Sequence, residues 1–175
     1  FGALISTTDP VAVIALFREL GAPKRLTMLV DGESLFNDAT AIVMFSIVLE
    51  LVSSGASFSS GTVLLAALEF LWVFLGGLLI GGAVGWVVMG CMRFVRADPL
   101  VQLTFTVVSA YLSFLLAQGA LGLSGVMASV GAGLVTAHYG RVCFSRETRD
   151  YLHHFWSFSS FAANSFIFLV IGLTE

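Results

Sequence analysis

Apolar residues fall along the chain in six long blocks, at roughly 1–20, 31–52, 62–92, 99–118, 121–138 and 149–174. A helix needs about 20 predominantly apolar residues to cross a bilayer, so each block reads as a complete or nearly complete span. The third is long enough to tilt or to project beyond the lipid. The first is interrupted by Pro10, and the gaps are short and hold turn residues such as Ser53-Ser54-Gly55 and Gly119. The pattern predicts an all-α membrane protein. Phe1 lies inside one apolar block and Glu175 directly follows another, so residues 1–175 are expected to be a partial transmembrane domain, truncated at both ends.

Charge placement gives an orientation. The eight basic residues occupy three loops: Arg18, Lys24 and Arg25; Arg93 and Arg96; Arg141, Arg146 and Arg149. The intervening loops, 53–61 and 119–120, hold none. Basic and neutral loops therefore alternate, and the positive-inside rule places 18–30, 93–98 and 139–149 in the cytoplasm. This alternation supports the helix count independently of hydropathy. Composition agrees: 58% of residues are hydrophobic and 11% charged, against about 25% charged in soluble domains. A net charge of −3 without a large basic patch excludes a nucleic-acid partner; membrane lipid is the expected surrounding. Cys91 and Cys143 form no disulfide framework and read as unpaired thiols.

The third block carries Gly77, Gly81 and Gly85 at four-residue spacing, beside Gly76 and Gly82. Small residues on one face let two helix backbones approach closely in lipid, so this is a packing signal. Gly125, Gly131 and Gly133 in the fifth block extend it.

Ionisable groups inside spans carry more chemical meaning, since one at the bilayer centre costs about 2.5–3.5 kcal/mol on insertion scales. Asp9 lies in Ser6-Thr7-Thr8-Asp9-Pro10. Proline lacks an N–H and clashes with the preceding turn, which predicts a break there. Asp9 and Pro10 then read as N-cap and first residue of a half-helix over about 10–20. The carbonyls of Ser6 to Thr8 lose helical partners, which is tolerated only in a cavity or inside protein. Free carbonyls and a carboxylate suit a hard cation; the plainer alternative is an ordinary helix start in a loop. Asp38 lies roughly 10 Å along the next helix from Asp31. Ser34, Asn37 and Asp38 are three and four residues apart and share one face, with Glu33 and Asn37 on a neighbouring stripe. This polar wedge reads as an ion site or, alternatively, as structural glue between helices.

Other polar positions have plainer readings. Glu50 and Glu69 flank the neutral loop and read as outer-interface groups; Gln102, Tyr111 and Gln118 read as packing or interface groups. His153 and His154 titrate near neutral pH as a residue type, which suggests regulation or, more plainly, interface histidines. The sixth block holds Ser157, Ser159, Ser160, Asn164 and Ser165 before an apolar run, a pattern expected of a second interrupted helix. Pairs of interrupted helices mark the sites of inverted-repeat transporters.

Thr8-Asp9-Pro10, followed by Gly32-Glu33-Ser34-Leu35-Phe36-Asn37-Asp38-Ala39, resembles the monovalent cation/proton antiporters, in particular the NhaP and sodium/hydrogen exchanger branch. Ser124 to Ala128 and Asn164 to Leu173 resemble later helices of that family, and the similarity covers nearly the whole chain. The resemblance implies an inverted-repeat fold of about a dozen helices, with a dimerisation domain and a core with two interrupted, crossing helices. It implies that segments 1–20 and 149–174 are the crossing pair and that a homodimer forms through helices outside this fragment. Asp38 is implied as the carboxylate that carries ion and proton, assisted by Asn37 and Ser34, with Thr8 and Asp9 contributing from the unwound chain. Asp38, Ser34 and Thr8 would then ligate transported sodium, and no resident cofactor or catalytic residue is expected. Pro10, Glu33 and Asn164 are implied as structural positions. Glu33 pairs in the family with an arginine of a later helix, expected here beyond Glu175. Asn37-Asp38 in place of two adjacent aspartates resembles the electroneutral branch. Asn164, at a position acidic in animal exchangers, favours a bacterial-type member of the inner membrane.

Elementary electrostatics gives the same mechanism. Desolvation disfavours a carboxylate anion and a nearby cation favours it. One acid in a water-poor cleft can therefore hold a proton or a sodium ion, each expelling the other, while alternating access presents it to both sides. At Asp9 the half-helix dipole favours negative charge, suiting it to balance the opposing half-helix. Two competing classes are weaker. An intramembrane protease using Ser124 of Gly122-Leu123-Ser124-Gly125 and His138 would place its dyad on one helix, about 21 Å apart, and Asp9 and Asp38 lack the Gly-x-Gly-Asp pattern of an aspartyl version. A proton-uncoupled channel, or a module that only packs, has no signature of its own.

Overall fold

The computed structural model describes residues 2–7, 10–53, 60–92, 94 and 98–174. The described regular structure is entirely helical: α1 (Gly2–Ile5), α2 (Val11–Glu19), α3 (Lys24–Ser53), α4 (Ser60–Met92), α5 (Pro99–Leu115), α6 (Gly125–Cys143) and α7 (Arg146–Thr174). A single π turn, Leu116–Ala120, extends α5. Four helices are long and apolar enough to cross a membrane: 25–53, 64–92, 99–120 and 146–174. Their outward faces are apolar, with Leu79 and Trp72 both 72% exposed, as expected of side chains whose solvent is lipid. The fifth predicted span becomes α6, which is not among these four; it packs along α4 and α5, so it need not be apolar all round. Most of the loops 53–61 and 93–98 lies outside the described residues.

The first block divides as expected. Ser6 N–H bonds Gly2 O at 3.1 Å and ends α1, while Ile14 N–H bonds Pro10 O at 2.8 Å and opens α2. The preset φ of proline suits the first turn, where its missing N–H is not needed. At the other end of α2, Gly21 takes φ 66°, and Ala22 N–H reaches Phe17 O at 2.9 Å, a left-handed close that glycine adopts without a steric penalty.

The best-packed region joins α4, α5 and α6. Its closest approach is the glycine stripe. A Cβ on Gly81 would run into the backbone of Ala128, and one on Gly77 into the carbonyl oxygen of Ser124. On Gly85 it would lie 3.0 Å from Ala132 Cα. From the facing helix, Gly131 presses on the carbonyl of Leu78. The contact is close enough for Ser124 N–H to bond the α4 carbonyl of Val73 at 3.2 Å. Two capping residues register the ends: Asp98 accepts from Leu100 N–H at 2.9 Å and Ser124 from Met127 N–H at 3.2 Å.

One expectation is corrected. The sixth block is not interrupted: α7 is a continuous helix of 29 residues. It holds no proline, and serine or asparagine side chains leave the backbone N–H ladder intact, so nothing forces a break. Nor is α7 seated across the broken first segment. It packs on α5, while α1 and α2 pack on α3, and residues 160–174 of α7 are exposed all round. The two interrupted, crossing helices therefore reduce, among the described residues, to the interruption before Pro10.

Candidate ion site

The interruption at Pro10 and the polar wedge of α3 face each other. Asn37 Nδ2 donates to the carbonyl oxygen of Ser6 at 2.5 Å, across 31 residues of sequence. Ser6 O is one of the carbonyls that the break strips of a helical donor. An unpartnered carbonyl away from water costs free energy comparable to a lost hydrogen bond, and the carboxamide of Asn37 supplies the partner. Ser34, one turn earlier on α3, is buried at 3% exposure. Asn37 and Asp38 are half-buried, followed by fully buried Ala39. The wedge thus points inward and meets the broken segment, as the three- and four-residue spacing predicts.

Neighbouring hydroxyls on α3 are engaged locally. Thr40 Oγ1 donates to Phe36 O at 2.6 Å and Ser46 Oγ to Ile42 O at 3.0 Å. These back-bonds satisfy the hydroxyls within their own helix, which leaves Asp38 as the acidic member of the inward stripe. Asp31 and Glu33 are exposed. Thr8 and Asp9, expected to contribute from the unwound chain, lie outside the described residues. Asn164 is not brought to the wedge; it stands exposed on the free half of α7. His153 and His154 are exposed near the start of α7, their rings edge-on with centroids 6.1 Å apart, and His154 Nδ1 is 2.6 Å from Asp150 O.

A buried polar row on α5 escaped the sequence reading. Gln102, Thr106, Ser109 and Ser113 are all buried, and their spacing of four, three and four places them on one face. Thr106 and Ser113 bond backward to Leu103 O and Ala110 O at 2.8 and 2.9 Å. Gln102 Oε1 and Ser109 Oγ are buried with no hydrogen-bond partner. The signal was available as a helical-period row of small polar residues, which the high hydropathy of the block obscured. Ser124, the candidate nucleophile of the protease reading, caps α6, and His138 is exposed on that same helix.

Comparison with known proteins agrees with this architecture. The family profile described as sodium/hydrogen exchanger, transmembrane, matches residues 1–174. The Na(+)/H(+) antiporter NhaG of Bacillus atrophaeus is 40% identical over 99% of this chain and 33% of its own length. Sodium/hydrogen exchanger 7 of Arabidopsis thaliana is 38% identical over 98% of this chain and 15% of its own length. The Na(+)/H(+) antiporter NhaP of Pseudomonas aeruginosa is 37% identical over 99% of this chain and 40% of its own length. The chain thus spans well under half the length of these curated relatives, all named as transporters. Apolar helices of spanning length, a proline break joined to an inward polar wedge, and a profile match from end to end agree: the chain is a multi-pass membrane segment and belongs to the sodium/hydrogen exchanger family.

Proposed function

We propose that the whole protein exchanges a monovalent cation, sodium foremost, for a proton across the plasma membrane, with Asp38 holding either ion in turn. The observation that carries this reading is the hydrogen bond from Asn37 to Ser6 O. It fixes the α3 stripe that holds Asp38 against the unwound backbone at Pro10. Carboxylate, hydroxyl and carbonyl oxygens are the donor set a hard cation takes. Asp38 and Ser34 supply the first two from α3, and the family resemblance adds Thr8 and Asp9 as further oxygen donors. A bound proton neutralises Asp38, and so does a bound sodium ion. If neither the empty anionic site nor a doubly loaded one crosses easily, one cation moves for one proton and the exchange is electroneutral. The curated relatives named Na(+)/H(+) antiporters support the substrate pair. The same family membership supports a homodimer built through elements outside residues 1–175.

The test is Asp38→Asn in the full-length protein, assayed as sodium-dependent proton movement in inverted membrane vesicles. The amide keeps the size and polarity of the group but cannot exchange a proton for a cation, so exchange is expected to stop while insertion continues. Exchange at the full rate would remove Asp38 from the mechanism.

A further inference from the structure

We propose that the cleft between α5, α6 and α7, which Leu35 of α3 also lines, is a binding site for one anionic phospholipid of the cytoplasmic leaflet. The cleft is a cavity of about 810 Å³, within the size range of ligand sites. Its lining along α6 runs from Val126 through Val130 and Leu134 to Arg141. That is fifteen residue-to-residue rises, or roughly 22 Å. One leaflet of hydrocarbon is about 15 Å deep, half of an about 30 Å core. The cleft is therefore long enough to take an acyl chain lengthwise.

Its two ends differ in chemistry. The body is mostly aliphatic, whereas Arg141 from the end of α6 and Arg149 and His153 from the start of α7 gather at one end. Arg149 and His153 are four residues apart and so lie on one face of α7. Among the described residues no acidic side chain lines the cavity, and Glu147 and Asp150 are exposed elsewhere on the same turns. The cleft thus joins an apolar slot to two guanidinium groups and an imidazole. The basic loop 139–149 is the one that charge alternation assigns to the cytoplasm. A basic pocket between spanning helices on that side complements an anionic lipid headgroup, and guanidinium groups bind phosphate bidentately. Within the cleft, Ser109 is 2% exposed and its hydroxyl has no partner.

The readout is lipid retention, which does not depend on ion exchange and so stands apart from the role proposed for Asp38. The purified full-length protein is equilibrated with equal amounts of dioleoyl phosphatidylglycerol and dioleoyl phosphatidylcholine, washed, and analysed by native mass spectrometry. Phosphatidylglycerol is expected to be retained preferentially. Each basic residue near an anionic headgroup contributes on the order of 1 kcal/mol, so the double variant R141Q/R149Q is expected to lose roughly tenfold or more in retention. R146Q, an exposed arginine that does not line the cavity, is expected to retain the lipid. Gly133 lines the cleft, and a Cβ there meets nothing within 4 Å. Gly133→Phe is therefore expected to fill the slot and displace the lipid without disturbing packing. The thermal midpoint identifies any variant that fails to fold, and the other variant then decides. Undiminished phosphatidylglycerol retention in the folded variants would overturn the site. Displacement of phosphatidylglycerol from the wild type by glycerol phosphate would overturn the lipid, since the pocket would then take phosphate alone.

Discussion

The carboxamide of Asn37 donates to the carbonyl oxygen of Ser6, and this bond ties the helix bearing Asp38 to the broken segment before Pro10. A break inside a membrane is stable only where its freed backbone finds partners. Here the partner comes from a side chain adjacent to the proposed ion-carrying acid. The bond can therefore couple the shape of the break to the position of Asp38.

Asn37→Leu removes the donor while keeping the side chain's approximate size. Ser6 O then loses that bond, whose net contribution is on the order of 1 kcal/mol. The full-length variant is expected to show a lower thermal midpoint in detergent and weaker cation-dependent exchange in inverted vesicles. A variant with both quantities unchanged would mean that the bond has no structural or transport role.

Pro10→Ala restores a backbone N–H at the break. Proline at a first helical turn carries little penalty, so the stability of the folded protein is expected to shift by less than about 1 kcal/mol. Exchange is expected to fall much further, because the restored N–H at residue 10 lets α2 extend backward and compete with Asn37 for Ser6 O. Measuring exchange rate at matched protein level, alongside the thermal midpoint, separates the two effects.

Gly81→Val tests the interface between α4 and α6. The added side chain meets the backbone of Ala128, which cannot rotate away. A loss of about 3 kcal/mol or more is expected, at the upper end for overpacked sites, read as poor accumulation of folded full-length protein. Gly90→Ala, on the same helix but with nothing within 4 Å of an added Cβ, is expected to be neutral or slightly stabilising because alanine favours helix. Equal tolerance of both changes would show that close approach at Gly81 does not matter.

Ser124→Ala removes the α6 cap, whose hydroxyl accepts from Met127 N–H. The expected cost is about 1 kcal/mol of stability, with the exchange rate of the folded protein retained. A loss of exchange with no change in thermal midpoint would instead assign Ser124 a chemical role.

Much of this protein is legible in its amino-acid sequence. Hydropathy delimits four of the six predicted spans as helices of crossing length, because a bilayer imposes a minimum length of apolar helix. Pro10 announces its break through its own covalent structure, and the spacing of Ser34, Asn37 and Asp38 assigns them to one face through the period of the helix. The four-residue repeat of Gly77, Gly81 and Gly85 announces a close contact. The polar residues of α7 misled for a related reason: their composition resembles that of an interrupted helix, but an interruption requires the backbone ladder to lose a member, and none of those residues removes one.

The sequence by itself determined the class of protein, the broken first segment and the inward polar stripe of α3, since each follows from short stretches of chain and the solvent around them. Only the tertiary structure decided that Asn37 meets Ser6, that Ala128 receives Gly81, that α7 lies on α5, and that Arg141, Arg149 and His153 converge on one cleft. These are pairings between distant parts of the chain. Which faces meet depends on how well whole helices fit together, and no local run of residues encodes that fit.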